Sequence, residues 1–279
     1  MKPKIKIADT QFAHTPGGSF GTGDLCIPPS HFDWYRGDET INNIIVVTES
    51  CFHQVDRYTE SFKIALLIEP PLINTESYHW IRQECNYKTF NLILTYNKEL
   101  LSIDSRFKWY PFGGCWIKPA DQKIYEKTKR ISIIASSKKI TFGHRLRHDI
   151  INRFIDSIDV FGNGYQFIES KLTGLRDYAY SIVVENDPCD AFFSEKLIDC
   201  FRTGTVPIYW GSESVGKHFD THGMCGFRDI DELSNILTNI LNDTLRICPL
   251  SIIDNYETAA KYTIPENWLW DNVLSGHFS

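Results

Sequence analysis

The chain has 279 residues, 42% of them apolar and 23% charged, and a formal net charge of -6 from 29 basic and 35 acidic side chains. That balance belongs to a globular, well-packed protein and excludes a disordered one. The acidic excess excludes a nucleic-acid-binding surface spread over the whole molecule, so any anion site has to be local, built from a few arginines and lysines.

The opening residues, MKPKIKIADTQF, carry no apolar signal-peptide core, and no run approaches the roughly 20 apolar residues of a membrane span. A cytoplasmic protein with no membrane span is therefore expected. Its eight cysteines lack CxxC pairs or zinc-like spacing, which predicts reduced thiols. Short β-rich runs alternate with amphipathic stretches, the pattern of parallel α/β layers. Residues 4–8 read as a strand, and residues 15–24 as a flexible glycine-rich loop that lacks the Gly-Lys-Ser/Thr ending of a P-loop. Strands are predicted at 43–48, 62–68 and 91–94, with a helix at 78–85. Two glycines and a proline within residues 109–114 mark a boundary, giving an N-terminal domain at 1–112 and a C-terminal domain at 113–279.

The second half repeats the alternation. Strands are predicted at 130–136, 160–162, 180–184 and 205–210. Helices are predicted at 144–157, 194–202, 231–241 and 253–262, the second closed by Gly204. Two such layered domains place a ligand at the carboxyl ends of the strands, in the cleft between them.

The residues that carry chemistry lie mainly in the stretch 177–211. It sets Glu185 and Asn186 at the end of a buried strand and Glu195 and Lys196 at the start of a helix. Amide groups at a helix start, aided by a lysine, suit a phosphate, and an acid and an amide nearby suit ribose hydroxyls. Upstream, Gly143-His144-Arg145-Leu146-Arg147 opens another helix, where the fork of Arg147 or Arg145 suits a diphosphate. Glu69 ends a first-domain strand and is followed by Pro70-Pro71, which stiffen its backbone. It is the candidate base, with Glu49 as competitor. Asp229-Ile230-Asp231 spells a DxD, but it precedes an amphipathic run and reads as a helix N-cap rather than a metal site.

These motifs resemble the donor-binding motif of the α-1,3/4-fucosyltransferases, glycosyltransferase family ten. That motif is an EN pair, then Tyr-x-Thr-Glu-Lys, then Val/Ile-Pro-x-x-x-Gly. Here the chain has Glu185-Asn186, then Phe192-Phe193-Ser194-Glu195-Lys196, then Val206-Pro207 through Gly211. Phe192 stands in place of the family's tyrosine and Ser194 in place of its threonine. The resemblance covers residues 130–241 well and the first half weakly, through the opening strand and the segment around Glu69.

The resemblance implies a GT-B architecture, two facing Rossmann-like domains with an interdomain cleft. Residues 255–274, with Trp268 and Trp270, would cross back to the first domain. It also implies an inverting transfer of L-fucose from GDP-fucose to a hydroxyl of an oligosaccharide or glycoconjugate acceptor, with no metal and no cofactor. In that reading Glu69 takes the acceptor proton, and Arg147, matching the family's phosphate-binding arginine, acts with Lys196 on the departing diphosphate. Asn186 and Glu195 hold ribose or fucose hydroxyls, Phe192 packs on the donor, and Glu185 and Ser194 complete the donor set. The rival expectations are a different nucleotide sugar, or an inactive glycan- or nucleotide-binding module.

Overall fold

The computed structural model describes residues 2–10, 12, 16–37, 41, 43–58, 62–189 and 191–278. It divides into two compact units, one of residues 1–112, 189–191 and 264–279, the other of residues 113–188 and 192–263. Residues 189–191 and 264–279, which the sequence boundaries assign to the C-terminal domain, thus group with the first unit.

The first unit contains strands β1 (Lys4–Ala8), β2 (Asp33–Tyr35), β3 (Ile44–Thr48), β4 (Phe62–Leu66), β5 (Leu92–Thr95) and β6 (Phe107–Trp109). They form one parallel sheet in the order β2-β1-β3-β4-β5-β6. Every residue of β3 is buried, as expected of a parallel strand covered on both faces. Its alternate side chains serve separate cores: Ile45 and Val47 pack with Ala65, Leu67 and Ile93, while Ile44 and Val46 pack with Ile64, Leu66 and Leu94.

β2 and β6 escape the sequence pattern because each is only three residues long, too short to show a period. The predicted helix at 78–85 is broken into α1 (Thr75–Ile81) and α2 (Glu84–Tyr87) by Gln83, whose backbone is extended. The six residues from Ile81 to Tyr87 would turn a continuous helix by about 240°, so the break is what brings Tyr87 back to the core that Tyr78 and Ile81 line. α3 (Lys98–Leu101) precedes β6.

The second unit contains β7 (Lys129–Ile134), α4 (Phe142–Phe154), β8 (Asp159–Phe161), β9 (Tyr178–Val184), α5 (Glu195–Phe201), β10 (Val206–Trp210), β11 (Cys225–Gly226), α6 (Ile230–Leu241) and α7 (Pro249–Ala259). Its sheet is parallel in the order β11-β10-β9-β7-β8. Pro207 stands one residue before the pairing with β11 begins, so its missing N–H faces no second ladder. Leu146, Ile150 and Ile151 of α4 and Leu233, Leu237 and Ile240 of α6 cover one face of this sheet, each set at the spacing of a helical stripe.

After α7 the chain turns at Ala260–Tyr262 and enters α8 (Pro265–Leu269) and a wider turn at Trp270–Leu274. Leu269 and Leu274 are fully buried in the core of the first sheet, with Trp268 and Trp270 packed beside them. The glycine-rich loop is not loose over its described part: Ser19, Phe20 and Thr22 are buried, and the buried Glu266 of α8 accepts hydrogen bonds from Ser19 Oγ and, at 2.8 Å, from the Phe20 amide. All eight cysteines are free thiols. Among the described residues, no helix is long and apolar enough to cross a membrane.

Candidate functional site

In the second unit, the connections leaving β7 and β8 step to opposite sides of β7, so β7 and β9 are neighbours whose chains run on in different directions. Such a switch point leaves a crevice at the carboxyl ends of the strands, where open α/β sheets take ligands. α4 opens there. Thr141 is its N-cap, and the Gly143 amide donates to the Asn186 carbonyl just beyond β9 at 3.2 Å. A Cβ on residue 143 would overlap the Glu185 carbonyl oxygen, so glycine is what lets the helix start lie against the strand end.

Arg147 follows one turn later on the buried side of α4 and is 4% exposed. Its Nε donates to the Val184 carbonyl at 3.0 Å, and Nη2 donates to the same oxygen and to Asn186 Oδ1 at 2.8 Å. Nη1 makes no hydrogen bond among the described residues. Burial lowers its affinity for the proton, and Glu185 and Glu195 work in the other direction. Arg145 lies on the far side of the helix, with Nη1 reaching the Lys139 and Ile140 carbonyls at 3.5 and 3.3 Å. The roughly half turn of helix between them separates an arginine built into the crevice wall from one on the surface.

Glu185 is fully buried, and its two oxygens accept the Ser194 amide at 2.9 Å and the Ser194 hydroxyl at 2.6 Å. Ser194 Oγ in turn accepts from the Lys196 amide at 3.4 Å. The Glu185 carboxylate thus holds the N-cap residue of α5 from both its amide and its hydroxyl. Lys196 Nζ lies 3.1 Å from Ser194 Oγ, 3.5 Å from Glu185 and 3.3 Å from Glu195. Phe192 is buried, and its carbonyl accepts from the Tyr209 hydroxyl at 3.3 Å.

Glu195 belongs to a network that the sequence reading missed. Lys171 Nζ lies 3.3 Å from Glu195 and 3.0 Å from Asp199, and 4.0 Å from the centre of the Trp116 ring. The Trp116 amide donates to Asp199 at 2.6 Å. Burial alone would raise the Glu195 carboxyl, but Lys196 and Lys171 hold it down at about 2. Burial raises Asp199 against the pull of Lys171. The Glu195–Asp199 spacing, one turn of helix, was the visible half of the signal. Lys171 comes from a separate short turn at Lys171–Gly174, which no spacing links to α5.

In the first unit, Glu49 is buried and its oxygens accept the Ile68 and Glu69 amides at 3.0 and 2.9 Å. It therefore serves as an anchor for the chain beyond β4. Glu69 is half-buried, its amide held by Glu49 and its carbonyl accepting from the Tyr78 hydroxyl at 3.1 Å. Asp229 caps α6, its Oδ1 accepting the Asp231 and Glu232 amides at 3.0 and 2.9 Å.

No family model matches the chain. A stretch of 100 residues is 31% identical to an α-(1,3)-fucosyltransferase of Helicobacter pylori, spanning 33% of this chain and 21% of that protein. Over that stretch the chain is similar to the α-1,3-fucosyltransferases. Solved structures extend the likeness beyond that stretch. An α1,3-fucosyltransferase with GDP-fucose matches over 92% of this chain and 90% of its own, with a TM-score of 0.55 at 14% identity. Anabaena HepE in complex with UDP and glucose matches over 98% of this chain and 100% of its own, with a TM-score of 0.61 at 9% identity. At these identities the likeness is one of fold: two parallel-sheet α/β domains of the GT-B type, as in the fucosyltransferases.

Proposed function

We propose that this chain is a glycosyltransferase that takes L-fucose from GDP-fucose and passes it, with inversion and without a metal ion, to a hydroxyl of a glycan acceptor. The observation that carries the reading is Arg147. Its guanidinium is locked by Val184 and Asn186 at the β7/β9 switch point while Nη1 is left over, beside the amino end of α4. A pre-oriented arginine at a helix start suits the diphosphate of a nucleotide sugar. A fixed cation there favours the charge that builds on the departing diphosphate. Asn186, and Glu195 with its low pKa, are the groups for ribose or sugar hydroxyls, and the buried Phe192 packs on the donor. Lys196, held by two carboxylates, adds its charge to Arg147.

On the acceptor side, Glu69 of the first unit is the proposed base. Removal of the acceptor proton as the sugar carbon is attacked through an oxocarbenium-like state would give inversion in one displacement. The fucosyltransferase likeness supports fucose over other sugars, since the phosphate contacts alone do not see the sugar.

A donor screen tests the reading. Turnover and thermal shift are measured with GDP-, UDP- and CMP-sugars, each with EDTA and with manganese. The expected result is stabilisation and transfer with GDP-fucose in EDTA. Binding of UDP-sugars alone would replace the donor, activity only with manganese would overturn the metal-free reaction, and binding without turnover would leave a nucleotide-binding module.

A further inference from the structure

α4 begins with a reciprocal capping box in which a histidine stands where glutamate or glutamine is usual. Thr141 Oγ1 accepts the His144 amide at 3.2 Å, and His144 Nδ1 lies 3.2 Å from the Thr141 amide and 2.7 Å from its hydroxyl. A backbone amide can only donate, so Nδ1 is the acceptor and the proton of the neutral ring sits on Nε2. That N–H has no hydrogen-bond partner among the described residues, and the atom itself stays accessible although His144 as a whole is only 5% exposed.

The charged groups that bear on the ring are basic: Arg147 and His148 of α4, Lys138 of the segment before α4, and Lys196 of α5. The amino end of the 13-residue α4 adds its own positive pole. An unpaired N–H in such surroundings is a place for an anion.

We infer that His144 is a further donor-binding residue, its Nε2–H meeting a phosphate oxygen of the nucleotide sugar at the start of α4. The inference rests on the proposed function and adds to it a second, uncharged contact beside Arg147. Burial, with Arg147 next, holds the ring at about 4, so at neutral pH His144 supplies a hydrogen bond and no charge.

His144→Gln is the informative variant, because glutamine at this position completes the usual capping box with its oxygen and keeps α4. The imidazole Nε2–H is removed, and a carboxamide NH2 on a different stem is the only donor left on the side chain. Affinities for GDP and for guanosine are measured by calorimetry in wild type, His144→Gln and Arg147→Ala, alongside melting temperature. The expected result is GDP binding weakened about tenfold in His144→Gln, as for one hydrogen bond to a charged group, with guanosine affinity and melting temperature unchanged. Unaltered GDP affinity in His144→Gln, with a loss in Arg147→Ala, overturns the inference and leaves the proposed function standing. An equal loss for guanosine and GDP also overturns it. Wild type that binds neither GDP nor UDP removes the proposed function and the inference together. Should His144→Gln fail to fold, histidine NMR of wild type decides instead: GDP has to raise the His144 pKa, and an unchanged value counts against the contact.

Discussion

At the scale of single residues, Arg147 carries most of the donor proposal. Arg147→Ala should weaken GDP binding by about tenfold or more, since a charge-assisted hydrogen bond is worth about 1.5–3 kcal/mol. It should also lower the melting temperature, because the Val184 carbonyl and the Asn186 side chain lose their donors. Arg147→Lys should restore only part of the affinity, as an ammonium cannot bridge both groups and still reach a ligand. Arg145→Ala should be mild in the same calorimetric titration. A crippling Arg145→Ala beside a mild Arg147→Ala would move the site to the other arginine.

The two glutamates of the first unit separate by a different measurement. Glu69→Gln should lower turnover by about 10²–10⁴, the range of a general base, and leave GDP affinity nearly unchanged. Glu49→Gln should act on stability instead, by about 1–3 kcal/mol, because an amide group would face the two backbone N–H donors that the carboxylate now accepts. Denaturant midpoints and steady-state rates of both variants check the pair. Normal turnover in Glu69→Gln would end its candidacy. Both acids stand after apolar strands in the sequence, and nothing local distinguishes an anchor from a reactive group. That Glu49 meets the Ile68 and Glu69 amides is decided by the fold.

At the scale of elements, the site depends on how α4 and α5 are seated against the ends of β9 and β10. Gly143→Ala places a methyl group on the Glu185 carbonyl oxygen. Overpacking of this kind costs about 1–3 kcal/mol and occasionally more. Helix and strand end would have to part, so the variant should lose GDP binding together with stability, measured as a lower melting temperature that GDP no longer raises. Wild-type stabilisation by GDP would show that the contact can be given up. The strands and long helices were legible because their apolar periods are strong: α6 buries Leu233, Leu237 and Ile240, one every turn. The start of α5 carries a contact that no local pattern shows. Ser194-Glu195-Lys196 looks like an open helix start, and only the fold brings the Glu185 carboxylate, nine residues earlier, into that place.

For the whole molecule, the return of residues 264–279 to the first unit has a titratable marker. Glu266 is fully buried among Ser19, the Phe20 amide and Trp34 Nε1. Burial pushes its carboxyl up to about 7 from an ordinary 4.5, although the hydrogen bonds pull it down. The folded state therefore holds a proton that the unfolded chain has already released between these values. Stability from this group is complete below about pH 4.5 and is lost as pH rises through 7. Glu266→Gln should flatten the fall in denaturant midpoint between pH 5 and 8. A slope equal to that of wild type would show that another group is responsible.

The alternation of apolar runs with amphipathic stretches was enough to determine two parallel α/β domains, because each element must bury a face whose period is written locally. The donor motif and the arginine-bearing start of α4 were likewise contiguous, so their resemblance to the fucosyltransferases could be read from neighbouring residues. The partners of those residues could not. The pairing of Lys171 with Glu195 and Asp199, the seating of Gly143 on the end of β9 and the burial of Leu269 and Leu274 in the first sheet join segments far apart in the chain. Hydrogen bonds and packing depend on distance in space, and separation along the chain does not encode it, so tertiary structure alone decided which polar side chains are spent on the fold.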